Sequence, residues 1–210
     1  SKKIVVAPTG IAALNIGGTT INSAFRIGFD TIPVITKSKD PRFAKLLKNL
    51  ELLIIDEVSM VRAPMLDAIS QSLQIYKKST EPFGGIHVLA CGDLFQLPPV
   101  VKQHEEREIY DRYDSIYFFD ALSFKEVKNV KYFQLDKSFR QEEDEGFYEL
   151  LNNIRIGCDL EKTINKINSQ CFDPTLESDA YMTLTSRKNR AEELNNHKLT
   201  YLDSPEEIIK

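Results

Sequence analysis

Asp56 and Glu57 close an apolar run, Leu52-Leu53-Ile54-Ile55, and a second apolar run, Ile86–Cys91, ends in Gly92-Asp93-Leu94-Phe95-Gln96-Leu97-Pro98-Pro99. The chemistry these residue types permit at two strand ends is phosphoryl transfer to water, which needs charge compensation and an aligned water. Asp56 suits a magnesium ion held through its water shell. Glu57 suits the attacking water, as proton acceptor or orienter. Gln96 is neutral and able to bond both the water and a phosphate oxygen, so it suits a role reporting hydrolysis. For Asp-Glu alone, the plainer reading is a strand ending in solvated acids. The second strand end, with Gly-Asp and then Gln-Leu-Pro-Pro, turns the balance toward a nucleoside-triphosphate motor. Asp93 by itself reads as a turn residue bonding its own loop. The loop that holds phosphates in such enzymes, Gly-x-x-x-x-Gly-Lys-Ser/Thr, occurs nowhere in the 210 residues.

Other residues point the same way with less force. Arg140, in Ser138-Phe139-Arg140-Gln141, follows one expected strand and precedes a helix. An arginine placed there on a second domain reaches a terminal phosphate as an arginine finger; a surface ion pair with Glu142 or Asp144 is an equal reading. Pro8-Thr9-Gly10 and Thr19-Thr20-Ile21-Asn22-Ser23 offer small hydroxyls, an amide and backbone N–H groups, which bind phosphates without reading sequence. Phe25 is a candidate for stacking on a base, with core packing the better reading. Lys77-Lys78 and Arg187-Lys188 read as solvated faces.

These residues need elements to position them. Ile4–Ala7, Leu52–Ile55 and Ile86–Cys91 are apolar runs bounded by loop signals and predict buried strands. Residues 11–16 predict a short helix stopped at Gly17-Gly18, and Leu46, Leu47 and Leu50 a helical turn. Pro64 suits the first position of a helix whose apolar face carries Met65, Leu66, Ile69, Leu73 and Tyr76. The alternation of strand and helix predicts an α/β fold with a parallel sheet flanked by helices. Ligands in such sheets bind beyond the carboxyl ends of the strands, where Thr9, Gly10, Asp56, Glu57 and Asp93 all fall. Further on, Tyr117–Phe119, Val130–Leu135 and Tyr181–Thr185 read as short strands. Helices are expected around residues 147–154 (ended by Gly157), around 160–167, and from Arg187 to about Leu202 with Ser186 as cap. A domain boundary is expected near residues 122–135, with domains at 1–125 and 126–210.

Bulk composition bounds the partners. The net charge is −4, with 42% hydrophobic and 28% charged residues. No global basic field draws in nucleic acid, so any such binding rests on local groups. Cys91, Cys158 and Cys171 lack paired spacing, and His87, His104 and His197 are scattered, which argues against a disulfide framework or zinc site. Reduced, mostly buried thiols in a cytoplasmic protein are the expectation. No apolar run is long enough to span a membrane and no signal-peptide pattern opens the sequence.

Taken together, the stretches VVAPTGIAALNIGGTTINSAF, LLIIDEVSM, PFGGIHVLACGDLFQLPPV and SFRQEEDEGFYELLNNIRIG resemble the petite-integration-frequency family of superfamily-one DNA helicases, with RecD-like enzymes as close relatives. They cover most of the chain in the family's order, in a style like the bacterial members. The resemblance implies RecA-like motor domains and an ATP-driven motor that moves 5′ to 3′ on single-stranded DNA and unwinds duplexes at junctions. It also implies Asp56 as the Mg2+ aspartate, Glu57 as catalytic base, Gln96 as the coupling glutamine and Arg140 as the arginine finger. Pro8, Thr9, Gly10, Thr20 and Asn22 would line the DNA track, with Asn22 standing where the family has histidine and Leu94 where it often has an aromatic residue. The family's phosphate loop is expected before Ile4 and its later motifs after Lys210, so the chain reads as the middle of such a helicase, inactive as an ATPase by itself. Without that loop's strand, apolar sheet surface is expected to lie open, favouring self-association or a rearranged sheet. The alternatives are a DNA-binding or scaffolding remnant without catalysis and, from another class, an unrelated P-loop enzyme acting on a metabolite.

Overall fold

The computed structural model describes residues 2–135, 137, 145–173 and 182–202. The chain divides into two compact units, residues 1–135 and 136–210, and each is taken by itself.

The first unit is built on four parallel strands: β1 (Lys3–Ala7), β2 (Thr19–Thr20), β3 (Leu52–Ile55) and β4 (His87–Ala90), in spatial order β2-β1-β3-β4. The connections carry helices α1 (Gly10–Asn15), α2 (Ile21–Phe25), α3 (Pro41–Lys48) and α4 (Ala63–Lys77). Each helix has a local reason to start. Thr9 and Thr20 cap α1 and α2, accepting from Ala12 N and Ser23 N at 3.3 Å each. Asp40 caps α3 through Arg42 N at 2.8 Å, with Pro41 in the first turn, and Pro64 opens α4. An N-terminal proline gives up an N–H that would be unpaired anyway.

Registry decides which side chains share a face. Ile4, Leu53 and Val88 lie side by side, as do Val6, Ile55 and Ala90. On this face Val6, Leu53 and Ile55 are fully buried among Leu47, Phe43, Ile69 and Leu73 of α3 and α4. Val5, Ile54 and Leu89 align on the opposite face, where Leu89 is 49% exposed. Parallel crossovers are right-handed. The steps β2 to β3, passing over β1, and β3 to β4 run the same way across the sheet, so α3 and α4 share a side. The step β1 to β2 runs back, which puts α1 on the other. In agreement, buried Ala13 of α1 stands apart from the main core cluster, and Ile11 and Leu14 are 76% and 80% exposed.

After β4 the chain forms α5 (Gln103–Tyr110), a 3-10 turn at Phe118–Asp120 and α6 (Leu122–Lys125). Two expected strands are absent here. Tyr117 makes only an isolated bridge to Arg62, because Phe118 packs edge-on to Phe119 and Phe124 instead. Residues 130–135 form no strand with any of the described residues, and Tyr132, Phe133 and Leu135 stand in solvent. The second unit shows α7 (Glu145–Ile156), α8 (Leu160–Cys171) and α9 (Lys188–Leu199). Gly157 ends α7 at φ 73°, the left-handed turn its position predicts. Residues 182–185 are not a strand, and position 181 lies outside the described residues. Ser186 is not the cap of α9; Arg187 takes that place. The three cysteines are exposed rather than buried. Cys91 follows a strand with one open face, and Cys158 and Cys171 stand at helix ends.

Candidate functional site

The expected site residues collect at one edge of the sheet. Because all four strands run the same way, the chain leaves β1 at Pro8-Thr9-Gly10, β2 at Thr20, β3 at Asp56-Glu57 and β4 at Cys91-Gly92-Asp93. Backbone bonds stitch these exits together. Asp56 N donates to Val6 O at 2.9 Å, Cys91 N to Ile55 O at 2.8 Å, and Val58 N to Cys91 O at 2.9 Å. Glu57 adopts a left-handed conformation, φ 50° and ψ 42°, and heads a 3-10 turn at Val58–Met60, with Met60 N donating to its carbonyl at 3.0 Å. Gly92 presses against that turn: a Cβ there would come within 3.0 Å of Val58 N and Ser59 N. A side chain there would have to displace the backbone of the turn, which favours a glycine at the head of the Gln96 loop.

Asp56 and Glu57 are half-buried, and among the described residues no ion pair takes either. Partial burial pushes the Cys91 thiol up, and the charge of Asp56 pushes it further; the carboxylate at the end of β3 is thus felt at the end of β4. Asp93 bonds its own turn, accepting from Phe95 N at 3.0 Å and from Gln96 Nε2 at 3.2 Å, while Gln96 N donates to Asp93 O at 3.0 Å. Gln96 is therefore held on the loop by Asp93 and is exposed. Ser59 Oγ, two residues past Glu57, is buried with no partner among the described residues.

The far end of the Gln96 loop is pinned as well, by residues that sequence spacing did not bring together. Glu105, at the start of α5, accepts from Lys102 N at 2.8 Å, from Arg62 Nη1 at 3.5 Å and from Thr31 Oγ1 at 3.5 Å. The Lys102 amide first, and the Arg62 charge after it, hold its carboxyl below the ordinary range against the opposing effect of burial. Lys102 and Glu105 are three apart, the spacing of a capping pair, and that was the available signal; Arg62 and Thr31 are distant in sequence and gave none.

At the β1 and β2 exits, the Thr9 and Thr20 hydroxyls act as helix caps, and Thr20 also donates to Ser23 Oγ at 2.9 Å. The Asn22 amide donates to Ile27 O and Gly28 O, both at 3.1 Å. Phe25 is 3% exposed and belongs to the core, so it has no ring surface for a base. Arg140 lies outside the described residues. A groove of about 380 Å³ lined by Lys2, Lys48, Asn49, Glu51 and Lys77 lies at the amino ends of the strands, away from every residue named above.

The model of the PIF1-like helicase family matches residues 1–165. The chain belongs to the PIF1-like helicase family. A PIF1 ATP-dependent DNA helicase of Saccharomyces cerevisiae is 32% identical over 206 residues, covering 94% of this chain and 23% of the relative. A Pif1 helicase of Campylobacter jejuni is 33% identical over 221 residues, covering 97% of this chain and 46% of the relative. Among solved structures, a Bacteroides Pif1 helicase in complex with ADP-AlF3 and single-stranded DNA matches with a TM-score of 0.85 at 38% identity, over 98% of this chain and 48% of that one. The chain thus spans less than half the length of these PIF1-like relatives. The parallel sheet flanked by helices is the RecA-like fold of those helicases, as the motifs implied. Among the described residues, no helix is long and apolar enough to cross a membrane.

Proposed function

We propose that this chain is the central segment of an ATP-dependent DNA helicase that translocates on single-stranded DNA, 5′ to 3′, and unwinds duplex at junctions, in the cytoplasm. The observation that carries the reading is the joining of the β3 and β4 exits: Asp56-Glu57 and the Asp93–Gln96 turn stand on neighbouring parallel strands, bonded through Cys91. The Saccharomyces and Campylobacter relatives are ATP-dependent DNA helicases, and the Bacteroides Pif1 helicase was crystallised with ADP-AlF3 and single-stranded DNA. Residues 1–125 supply most of the first RecA-like domain, and residues 126–210, carrying Arg140 as arginine finger, begin the second.

The donors fit magnesium, a hard cation that takes oxygen ligands: Asp56 is a half-buried carboxylate with no ion pair among the described residues. Asp56 would hold the ion through its water shell, and the bound ion would offset charge on the phosphates of ATP. Glu57 then takes the proton of a water attacking the terminal phosphate. Gln96, leashed by Asp93, bonds that water or a phosphate oxygen and passes the phosphate state along the loop to α5. Pro8, Thr9, Gly10, Thr20 and Asn22 line the strand's track. Since Thr9, Thr20 and Asn22 already cap or brace backbone, their contribution is to hold peptide N–H groups toward the phosphates.

A second reading is a DNA-binding remnant without catalysis. Both readings have the isolated chain bind single strands without appreciable ATP turnover, since phosphates lack their lysine and backbone cradle. The natural full-length protein separates them. The motor reading expects DNA-stimulated hydrolysis that falls at least about a hundredfold in Glu57→Gln; no turnover in the parent, or turnover unaffected by the substitution, refutes it. The open β4 edge and the apolar face beside it are also proposed to drive self-association of the isolated chain.

A further inference from the structure

Phe29 is 86% exposed, yet the loop that carries it is firmly held. On its amino side, Ile27 is buried, Ile27 N donates to Asn22 O at 3.1 Å, and the Asn22 amide bonds the carbonyls of Ile27 and Gly28. On its carboxyl side, Asp30 O accepts from Arg62 Nη2 at 3.5 Å and Thr31 bonds Glu105. Further along, Tyr76 OH accepts from Ser38 N at 2.6 Å, and Arg26 pairs with Asp40 at 2.6 Å while lying over the Phe43 ring. A large aromatic ring thus stands in water on a backbone held between two anchors, and among the described residues no ring packs on it. Ordering the backbone that carries an exposed ring lowers the entropy cost of placing something flat against that ring.

Position decides what that something is. The residue whose amide braces the loop, Asn22, belongs to the track along which the proposed function runs single-stranded DNA. Residues 21–40 carry Arg26, Lys37 and Lys39 against Asp30 and Asp40; Arg26 is paired with Asp40, which leaves Lys37 and Lys39 as the cations of this segment that can attract a polyanion. Every base offers a π-face, and stacking on an aromatic residue is tolerant of sequence. We propose that Phe29 is a base-stacking residue of the single-strand track, the role Phe25 cannot fill from the core. This rests on the DNA-track reading and adds to it a base contact where phosphate contacts alone were assigned.

The chain contains no tryptophan, so Phe29→Trp introduces a single tryptophan at the site, excited selectively to the red of tyrosine absorption. The expected results are fourfold. Phe29→Ala weakens binding of a fluorescent oligo-dT strand roughly tenfold, with the salt slope of the affinity unchanged because no phosphate contact is lost. Phe29→Trp restores affinity, and its emission is quenched on titration with unlabelled strand. An abasic strand of the same length binds wild type and Phe29→Ala alike. Thermal unfolding is unchanged by either substitution at so exposed a position. The proposal is overturned if Phe29→Ala binds oligo-dT as wild type does, or if tryptophan emission stays constant while anisotropy shows the strand bound. Failure of the wild type to bind any strand at low salt would remove the DNA track itself, and the stacking role with it.

Discussion

The two faces of the sheet are built from similar residues and have opposite fates. On one, Val6, Leu53 and Ile55 vanish beneath α3 and α4. On the other, Leu89 stays 49% exposed, and the small helix α1 on that side keeps its own Ile11 and Leu14 in water. Apolar composition on both faces is what a parallel sheet requires. Local sequence therefore fixes which residues are fit for burial, while topology and the covering elements fix which are buried.

The sharpest way to break this comparison is to truncate matched residues on the two faces. Leu53→Ala, at full burial, is expected to cost about 3 kcal/mol. Leu89→Ala is expected to cost under about 0.5 kcal/mol and, if the open face drives self-association, to lower the mass seen by light scattering. Equal shifts in urea midpoint would show the open face to be covered in solution, and a strictly monomeric wild type would reject the self-association reading. Next in size is Gly92→Ala. The added methyl forces the β4 exit off the Val58–Met60 turn, at a cost of about 2 kcal/mol, read as a lower melting temperature together with altered reactivity of Cys91. A smaller effect than at Leu53 or Gly92 is expected at Glu105. Its folded-state carboxyl titrates lower than an unfolded one, so its contribution is complete above the ordinary glutamate range and is lost as pH falls through the depressed value. Glu105→Gln should lower stability at neutral pH by about 1 kcal/mol and flatten the decline between neutral and acid pH; an unchanged acid limb would show the pin to be idle.

Much of this architecture was readable in advance where one physical signal dominated. β1 and β3 are unbroken aliphatic runs, and α4 repeats Leu66, Ile69, Leu73 and Tyr76 at helical spacing around a leading proline. The site edge followed from parallel strands and residues at their exits. Reading failed where a short apolar stretch had two uses. Phe118 and Phe119 look like strand residues but form an aromatic cluster with Phe124, and Val130–Leu135 has no strand partner among the described residues. β2 is two threonines long, too short for any periodicity. Thr9 and Thr20 were read for their hydroxyls, and the structure spends those hydroxyls on helix ends. The Arg62–Glu105 pin and the opening around Leu89 are products of tertiary arrangement, invisible at the level of spacing.

Glu57 occupies a backbone region that costs a non-glycine residue on the order of 1 kcal/mol, held there by the bonds from Met60 and across from Val58 to Cys91. A site that works against its own conformation gains nothing in robustness from keeping the acid. Replacing it with glycine would relax the turn while erasing the carboxylate. Heat-tolerance screens of this chain would accordingly welcome the very change that silences it, and only a functional readout would notice the loss.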